Sequence, residues 1–146
     1  MKKILFFIFY SSLVFTQPNY IRTLGTYYGD ESMVIRDSKI DSEGNIIIVG
    51  LIKSTDSTNY LSIATANAHQ ETYGGGLTDG FIAKFNTDGQ ILWATYFGGE
   101  NGDIIVNSSI DRFDNIHLIG VTKSATGIAT LDSFQPNKIG TKDNFI

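Results

Sequence analysis

The 146-residue chain contains no cysteine, and this absence excludes several classes of protein at once. Without cysteine there is no disulfide framework, no thiolate nucleophile, no cysteine zinc site and no lipidated cysteine. Histidine is nearly as scarce, with two residues, so catalytic triads and histidine metal centres have little to build on. We therefore predict a protein that is not an enzyme, with no catalytic, cofactor-binding or metal-binding residues.

Proline is also scarce, and there is no strong excess of either acidic or basic residues. The chain has two prolines, 18% charged residues and a net charge of -4, and its acids are interspersed with lysine and arginine. A nucleic-acid-binding surface of clustered basic residues is excluded on this pattern. With 42% hydrophobic residues, the composition is instead typical of a folded globular protein.

No hydrophobic run is long enough to cross a membrane as a helix. The longest run, Ile4 to Phe15, has twelve residues and is interrupted only by Ser11 and Ser12, whereas about 20 are needed. It follows a short basic start and precedes a polar stretch, which is the pattern of a secretory signal peptide. We predict a signal peptide at residues 1–17, cleaved near Thr16 or Gln17, and a mature chain that is secreted or on the cell surface. A buried N-terminal strand or an uncleaved anchor is the alternative.

The strongest feature of the sequence is an internal duplication with a period near 70 residues. The segment Thr26-Tyr27-Tyr28-Gly29 returns as Thr95-Tyr96-Phe97-Gly98. Further matches follow in the same order: Ile40 to Ile46 with Ile110 to Ile116, Gly50 with Gly120, Lys53-Ser54 with Lys123-Ser124, Ile63 to Thr65 with Ile128 to Thr130, Gln70 with Gln135, and Asp79 to Ile82 with Asp143 to Ile146. Ordered matches of this kind indicate a repeat protein. Copy one spans about 26–94 and copy two about 95–146 of the repeat region 18–146.

Each copy has the pattern of short strands. In copy one we predict four strands, at Ser32–Asp41, Asn45–Ile52, Gly80–Asn86 and Ile91–Phe97. The run Ile46–Val49 is continuous and β-branched, which is typical of a strand buried on both faces. Asp88-Gly89 predicts a hairpin turn, and Asp41 with Gly44 predicts a type I turn. No segment has helical periodicity, so the predicted fold class is all-β.

Four antiparallel strands per period form the unit of a β-propeller, in which each sheet is one blade of a ring. On this interpretation the chain holds about one complete blade and parts of the flanking blades. The surplus over the roughly 40 to 50 residues of common propeller repeats is the polar loop Lys53–Thr78. Within it, Gly74-Gly75-Gly76 is predicted to be a flexible connector. Because a ring takes roughly four to eight blades, we expect this chain to be a fragment that packs on further blades of its parent.

These motifs resemble the SBBP repeats, a β-propeller repeat family of exported bacterial proteins. The resemblance is carried by Thr26 to Gly29, Ile40 to Gly50, Lys53-Ser54, Ile63 to Thr65, Gln70, Asp79 to Asn86 and Leu92 to Gly99. It covers nearly everything after the predicted signal peptide. It implies a large secreted, often surface-associated protein, frequently with a separate C-terminal sorting or adhesive domain, and it supplies no catalytic residues. This chain departs from the pattern in having fewer than two copies and no C-terminal module.

The duplication also separates residues that every blade needs from residues that occur once. His69 stands opposite Phe134 and His117 opposite Ile47, so we interpret both histidines as partly buried packing residues. Acids do recur, and for these we predict carboxylates that accept backbone N–H bonds in turns. The recurring pairs are Asp41 with Asp111 and Asp79 with Asp143. A calcium site is the alternative, and its candidate ligands are Asp30, Glu31 and Asp103.

The predicted function is that of a scaffold or a surface interaction and adhesion module of a larger exported protein, with a protein or glycan ligand. One alternative is the propeller region of a secreted enzyme whose catalytic residues lie beyond residue 146. Another is a carbohydrate-binding module that uses Tyr60 and Tyr73 of the polar loop. The spacing of the aromatic residues in the fourth strand of each copy favours core and inter-blade packing over a carbohydrate platform. They are Trp93, Tyr27, Tyr28 and Tyr96.

Overall fold

A computed structural model describes residues 25–54 and 61–146, which form two antiparallel β-sheets and no helix. The first sheet consists of β1 (Met33–Ile40), β2 (Ile46–Lys53), β3 (Thr78–Phe85) and β4 (Ile91–Phe97), in that order across the sheet. The second consists of β5 (Asp103–Ile110), β6 (Ile116–Thr122) and β7 (Asp143–Phe145). The all-β fold class is therefore confirmed, and each predicted strand lies within two residues of its observed bounds.

The predicted signal peptide at residues 1–17 lies outside the described residues, and so does Tyr60. Within the described ranges, no helix has the length and hydrophobicity that a membrane span needs.

The second sheet repeats the hydrogen-bonding register of the first. In the first sheet Gly50 lies opposite Phe81, and in the second their counterparts Gly120 and Phe145 lie opposite each other. The first strand of each sheet is irregular at the same place, since the register shifts across Arg36 in β1 and across the residue one repeat later in β5. Equivalent sequence patterns thus produce equivalent sheets, including the bulge.

The recurring glycine of the second strand follows from that bulge. A Cβ at Gly50 would come within 2.0 Å of a carbonyl oxygen of β1, and a Cβ at Gly120 within 2.3 Å of the corresponding oxygen of β5. Real side chains do not approach a backbone oxygen so closely. Only glycine in the second strand allows the bulged first strand to lie this close to it.

The two sheets stack face to face around a shared hydrophobic layer. Ile47, Val49 and Ile82 of the first sheet and Ile105 of the second are buried in it. Partly buried residues surround this centre: Trp93, Phe97, Ile110, Ile116, Leu118 and Phe145. One face of β2 and one face of β6 point into this layer, because successive residues of a strand point to opposite sides.

The other face of the first sheet is covered by the loop 61–77. Ile63 and Tyr73 of this loop are buried against Phe81 and Tyr96. The backbone N–H of Ile63 donates to the Tyr96 hydroxyl at 3.3 Å, and this hydroxyl in turn donates to the carbonyl of Leu61. The fourth strand of the first sheet is thereby tied to the polar loop of the same repeat.

The prediction that Gly74-Gly75-Gly76 is a flexible connector is wrong. A Cβ at Gly74 would lie 2.5 Å from the carbonyl oxygen of Gly99, and a Cβ at Gly76 would lie 2.5 Å from the backbone of Asn101. The three glycines are therefore packed against the segment that joins β4 to β5. Their small size permits this contact between two backbones.

The outward face of the second sheet is exposed, and this overturns the interpretation of His117 as a packing residue. Ile47 and Val49 are 1% and 0% exposed between the sheets, whereas Ile119, the counterpart of Val49, is 46% exposed. The side chain of His117 is 57% exposed because no further sheet covers this face among the described residues. His69 is exposed as well, and its ring stacks on Phe97 at a centroid distance of 6.4 Å.

Candidate functional site

The β1–β2 turn and the β5–β6 turn are each built on one aspartate. Asp41 Oδ1 accepts hydrogen bonds from the backbone N–H groups of Glu43 and Asn45, at 3.0 and 2.8 Å. Asp111 makes the same pair of bonds one repeat later, at 2.8 and 3.0 Å. The predicted turn-capping role is therefore confirmed for both residues. A hydrogen bond from Lys84 holds the pKa of Asp41 well below its usual range.

A third turn of this kind, between β3 and β4, has a cap that the sequence pattern did not predict. Asn86 Oδ1 accepts hydrogen bonds from the N–H groups of Asp88 and Gln90, at 3.0 and 2.9 Å, so it shapes the β3–β4 hairpin. The Asp88-Gly89 pair predicts the hairpin turn but does not indicate the residue that caps it. An asparagine two residues before that pair was the available signal, because Asn side chains bond their own backbone two residues on.

Two polar contacts join the sheets, one between β1 and β5 and one between the β1–β2 and β5–β6 turns. Asp37 accepts hydrogen bonds from the N–H and the hydroxyl of Ser108, both at 2.8 Å. Asp114 accepts a hydrogen bond from the N–H of Ser42 at 2.9 Å. Burial would raise the pKa of Asp37, but hydrogen bonds from Lys39 and Ser108 outweigh it and lower the pKa to about 2.

The most unusual group in the described structure is a pair of fully buried carboxylates, Asp79 at β3 and Asp103 at β5. They face Gly98 together: a Cβ at that glycine would lie 2.6 Å from Asp79 Oδ1 and 2.9 Å from Asp103 Oδ2. Asp79 accepts a hydrogen bond from the N–H of Gly74. Asp103 Oδ2 accepts bonds from the N–H of Gly99 and the hydroxyl of Ser124, both at 2.7 Å.

Each carboxylate of this pair keeps one oxygen without a hydrogen-bond donor. Asp79 Oδ1 and Asp103 Oδ1 are both buried and unpartnered. Burial raises the pKa of Asp79 to about 7, and the charge of Asp103 adds to the rise. Burial and the charges of both aspartates also raise the pKa of the adjacent Tyr73. Asp79 and Asp103 together thus form a buried site of negative charge between the two repeats.

The remaining acids of interest are spread over turns. Asp30 Oδ1 accepts a hydrogen bond from the N–H of Ser32 at 2.8 Å, and Glu31 is exposed. Asp143, the counterpart of Asp79, caps its own loop through the N–H groups of Ile139 and Gly140, at 2.8 and 2.9 Å. In the part of the chain that the structure describes, no three His, Asp or Glu side chains gather in a way that could hold a metal ion.

The aromatic residues do not form an exposed platform. Tyr96 is fully buried and Tyr73 is 8% exposed, so neither presents a face to a sugar ring. Trp93 is half-buried, and Tyr28 packs edge-on against Phe85 at 4.9 Å. Core packing is confirmed for Tyr96, whereas Tyr27 is fully exposed among the described residues, so packing of Tyr27 between blades stays a prediction.

Two cavities of about 550 and 600 Å³ lie beside the second sheet. Phe97, Ile116 and Leu118 line both of them. In the first sheet the equivalent residues of β2, Ile46 and Ile48, pair with β3, and β4 pairs with the other edge of β3. Both cavities therefore adjoin the part of β6, residues 116–119, with which β7 does not pair.

No protein-family model and no curated protein sequence matches this chain. The geometry of the two sheets and of the buried carboxylates is consequently the basis for assigning a role.

Proposed function

We propose that the chain is part of an exported, non-enzymatic β-propeller of the SBBP-repeat type, whose complete ring acts as a scaffold or a surface interaction and adhesion module. The observation that carries this proposal is the relation between the two sheets. They share register, bulge and glycine position, and they stack through their faces as successive blades do. The four strands of the first sheet correspond to one blade.

The segment before β1 supports the same architecture. A Cβ at Gly29 would lie 2.6 Å from the sulfur of Met33, just as a Cβ at the equivalent Gly98 would meet Asp103. Tyr28 packs on the first sheet, and the equivalent Phe97 packs on the second, where its ring lies 5.1 Å from that of Phe145. Residues 26–29 therefore resemble the end of a fourth strand that belongs to a preceding blade.

The exposed face of the second sheet supports a further blade on that side. The outward face of the second sheet carries apolar residues at positions that are buried between the two sheets in the first, as with Ile119 and Val49. Repeat units of this kind bury their faces only by stacking on neighbours. A protein or glycan ligand would then bind loops at the rim of the ring rather than the aromatic residues that fill the blades.

The natural gene product can be tested for this architecture by electron microscopy of single particles after purification from the culture medium. We expect a ring with a central channel and roughly four to eight blades. An open, linear stack of sheets would contradict the propeller. Recovery of the protein only from the cytoplasm, with its first 17 residues still attached, would contradict export.

A further inference from the structure

We propose that the junction between the two repeats binds a divalent cation of the oxygen-seeking class, such as Ca²⁺, between Asp79 and Asp103. This site is independent of whether the sheets belong to a closed ring, because both ligands and their surroundings lie within the described residues. It also differs from the turn acids, whose carboxylates are occupied by backbone N–H groups.

The first argument is charge. Asp79 and Asp103 are both 0% exposed, and no lysine or arginine among the described residues forms an ion pair with either of them. Two carboxylates buried side by side without a counter-charge are strongly unfavourable, because burial removes the water that would stabilise them. A divalent cation cancels both charges at once.

The second argument is the state of the oxygens. One oxygen of each carboxylate is held by donors, which fixes the orientation of both groups, and the other is buried with no donor at all. Buried polar atoms are nearly always partnered, so an orphaned pair is a feature that needs a ligand. Asp79 Oδ1, one of the two orphaned oxygens, lies on the same side of Gly98 as the Asp103 carboxylate, so a cation beside it would contact both groups, whereas a single proton leaves a net negative charge in the buried site.

The third argument is the chemistry of the surroundings. The N–H groups of Gly74 and Gly99 donate to Asp79 and Asp103, so glycine-rich backbone from two segments lies against the pair. Ca²⁺ takes carboxylate, carbonyl and water oxygens as ligands. Backbone and water oxygens would have to complete the coordination, because the described residues supply only two carboxylates here.

The test uses the purified chain after treatment with a chelator, with Tb³⁺ as a luminescent probe and Ca²⁺ as its competitor. Tyr73 lies close enough for both carboxylate charges to raise its pKa, and it would sensitise Tb³⁺ emission. We expect saturable emission that Ca²⁺ displaces, and a Tm that Ca²⁺ raises by several degrees over the chelated chain. Absence of both effects in the wild-type chain would overturn the proposal, whatever the variants do.

Three substitutions assign the site. Asp79→Asn and Asp103→Asn should each abolish Tb³⁺ emission and the effect of Ca²⁺ on Tm, while circular dichroism reports whether each variant folds. Asp143→Asn is the matched control, because Asp143 is the repeat counterpart of Asp79 with no second buried acid beside it. Emission that survives both junction variants, or that disappears in Asp143→Asn, would overturn the assignment. A wild-type Tm that is unchanged by Ca²⁺ but falls as the pH is raised from about 6 to 8 would overturn the proposal, because it would show that the two carboxylates share a proton instead.

Discussion

Residues at equivalent positions of the two repeats can have different structural roles. Gly44 and Asp114 occupy the same place in their turns, and both have a positive φ, 84° and 63°. Glycine adopts this conformation freely, and aspartate is among the few other residues that tolerate it. Asp114 uses the position to accept a hydrogen bond from Ser42 of the other sheet. The repeat comparison alone would have classed this difference as neutral turn variation.

At this scale the pH dependence of stability can be predicted for Asp37. Its pKa falls from 3.8 to about 2 on folding, so its contribution to the free energy of unfolding is complete above about pH 4 and is lost as the pH falls towards 2. Urea unfolding of the wild type should therefore show a midpoint that declines between pH 4 and pH 2.

Glu100 and Asp111 titrate in the same window, because hydrogen bonds from the Ala125 N–H and the Asn115 side chain lower their pKa values to about 2. The variant Asp37→Asn isolates the contribution of Asp37. We expect it to be less stable than the wild type at pH 7 and to lose less stability between pH 4 and pH 2. Parallel declines in the two proteins would contradict the role given to the Asp37–Ser108 contact.

A second residue-scale prediction concerns the glycine that faces the bulge. Gly50→Ala places a Cβ 2.0 Å from a backbone oxygen, so the bulged pair of strands must separate, at a cost of about 1–3 kcal/mol. Gly25→Ala is the control, since nothing lies within 4 Å of its Cβ position. Chemical denaturation of both variants checks the difference. Equal stabilities would mean that the bulge relaxes without cost.

At the scale of strands, sequence pattern predicted most of what is observed. Apolar alternation and β-branched runs locate β1 to β4 because half-buried strands need those residues whatever lies opposite. The packing of Gly74 to Gly76 could not be predicted in this way, since it depends on the distant segment 98–102. The pairing of Asp79 with Asp103 was missed for a related reason. Asp103 was named only beside Asp30 and Glu31 as a candidate calcium ligand, and because Met33 stands at its position in the other copy, comparison of the repeats did not link it to Asp79.

The contrast between matched strand positions gives an element-scale prediction. Ile105 in β5 is 0% exposed between the sheets, whereas Ile35, its counterpart in β1, is 53% exposed. Ile105→Ala should destabilise the chain by about 2–5 kcal/mol, through lost burial and a residual cavity. Ile35→Ala should cost about 0.5 kcal/mol or less. Unfolding curves of the two variants make the comparison, and similar losses would show that β1 is also covered in solution.

For the whole molecule, the exposed outer face of the second sheet predicts how the chain behaves alone. Ile119→Lys should leave the free energy of unfolding within about 0.5 kcal/mol of the wild type while reducing self-association, because it places a charge on an open apolar face. Val49→Lys, at the equivalent position of the first sheet, should prevent folding. Light scattering and denaturation measure the two effects. In a complete ring, Ile119→Lys should become as damaging as Val49→Lys.

The contact between Ser42 and Asp114 has a consequence for the order of the repeats. Ser42 meets Asp114 across the junction, yet its own counterpart in the second copy is Arg112, whose guanidinium lies 4.5 Å over the ring of Phe113. A third repeat would therefore meet a cation where the second repeat meets a hydroxyl group. The two repeats share a backbone structure but differ in the side chain that each presents to its neighbour. Exchanging the repeats, or deleting one, would therefore bring together side chains that do not form these hydrogen bonds, even where the hydrophobic faces still pack.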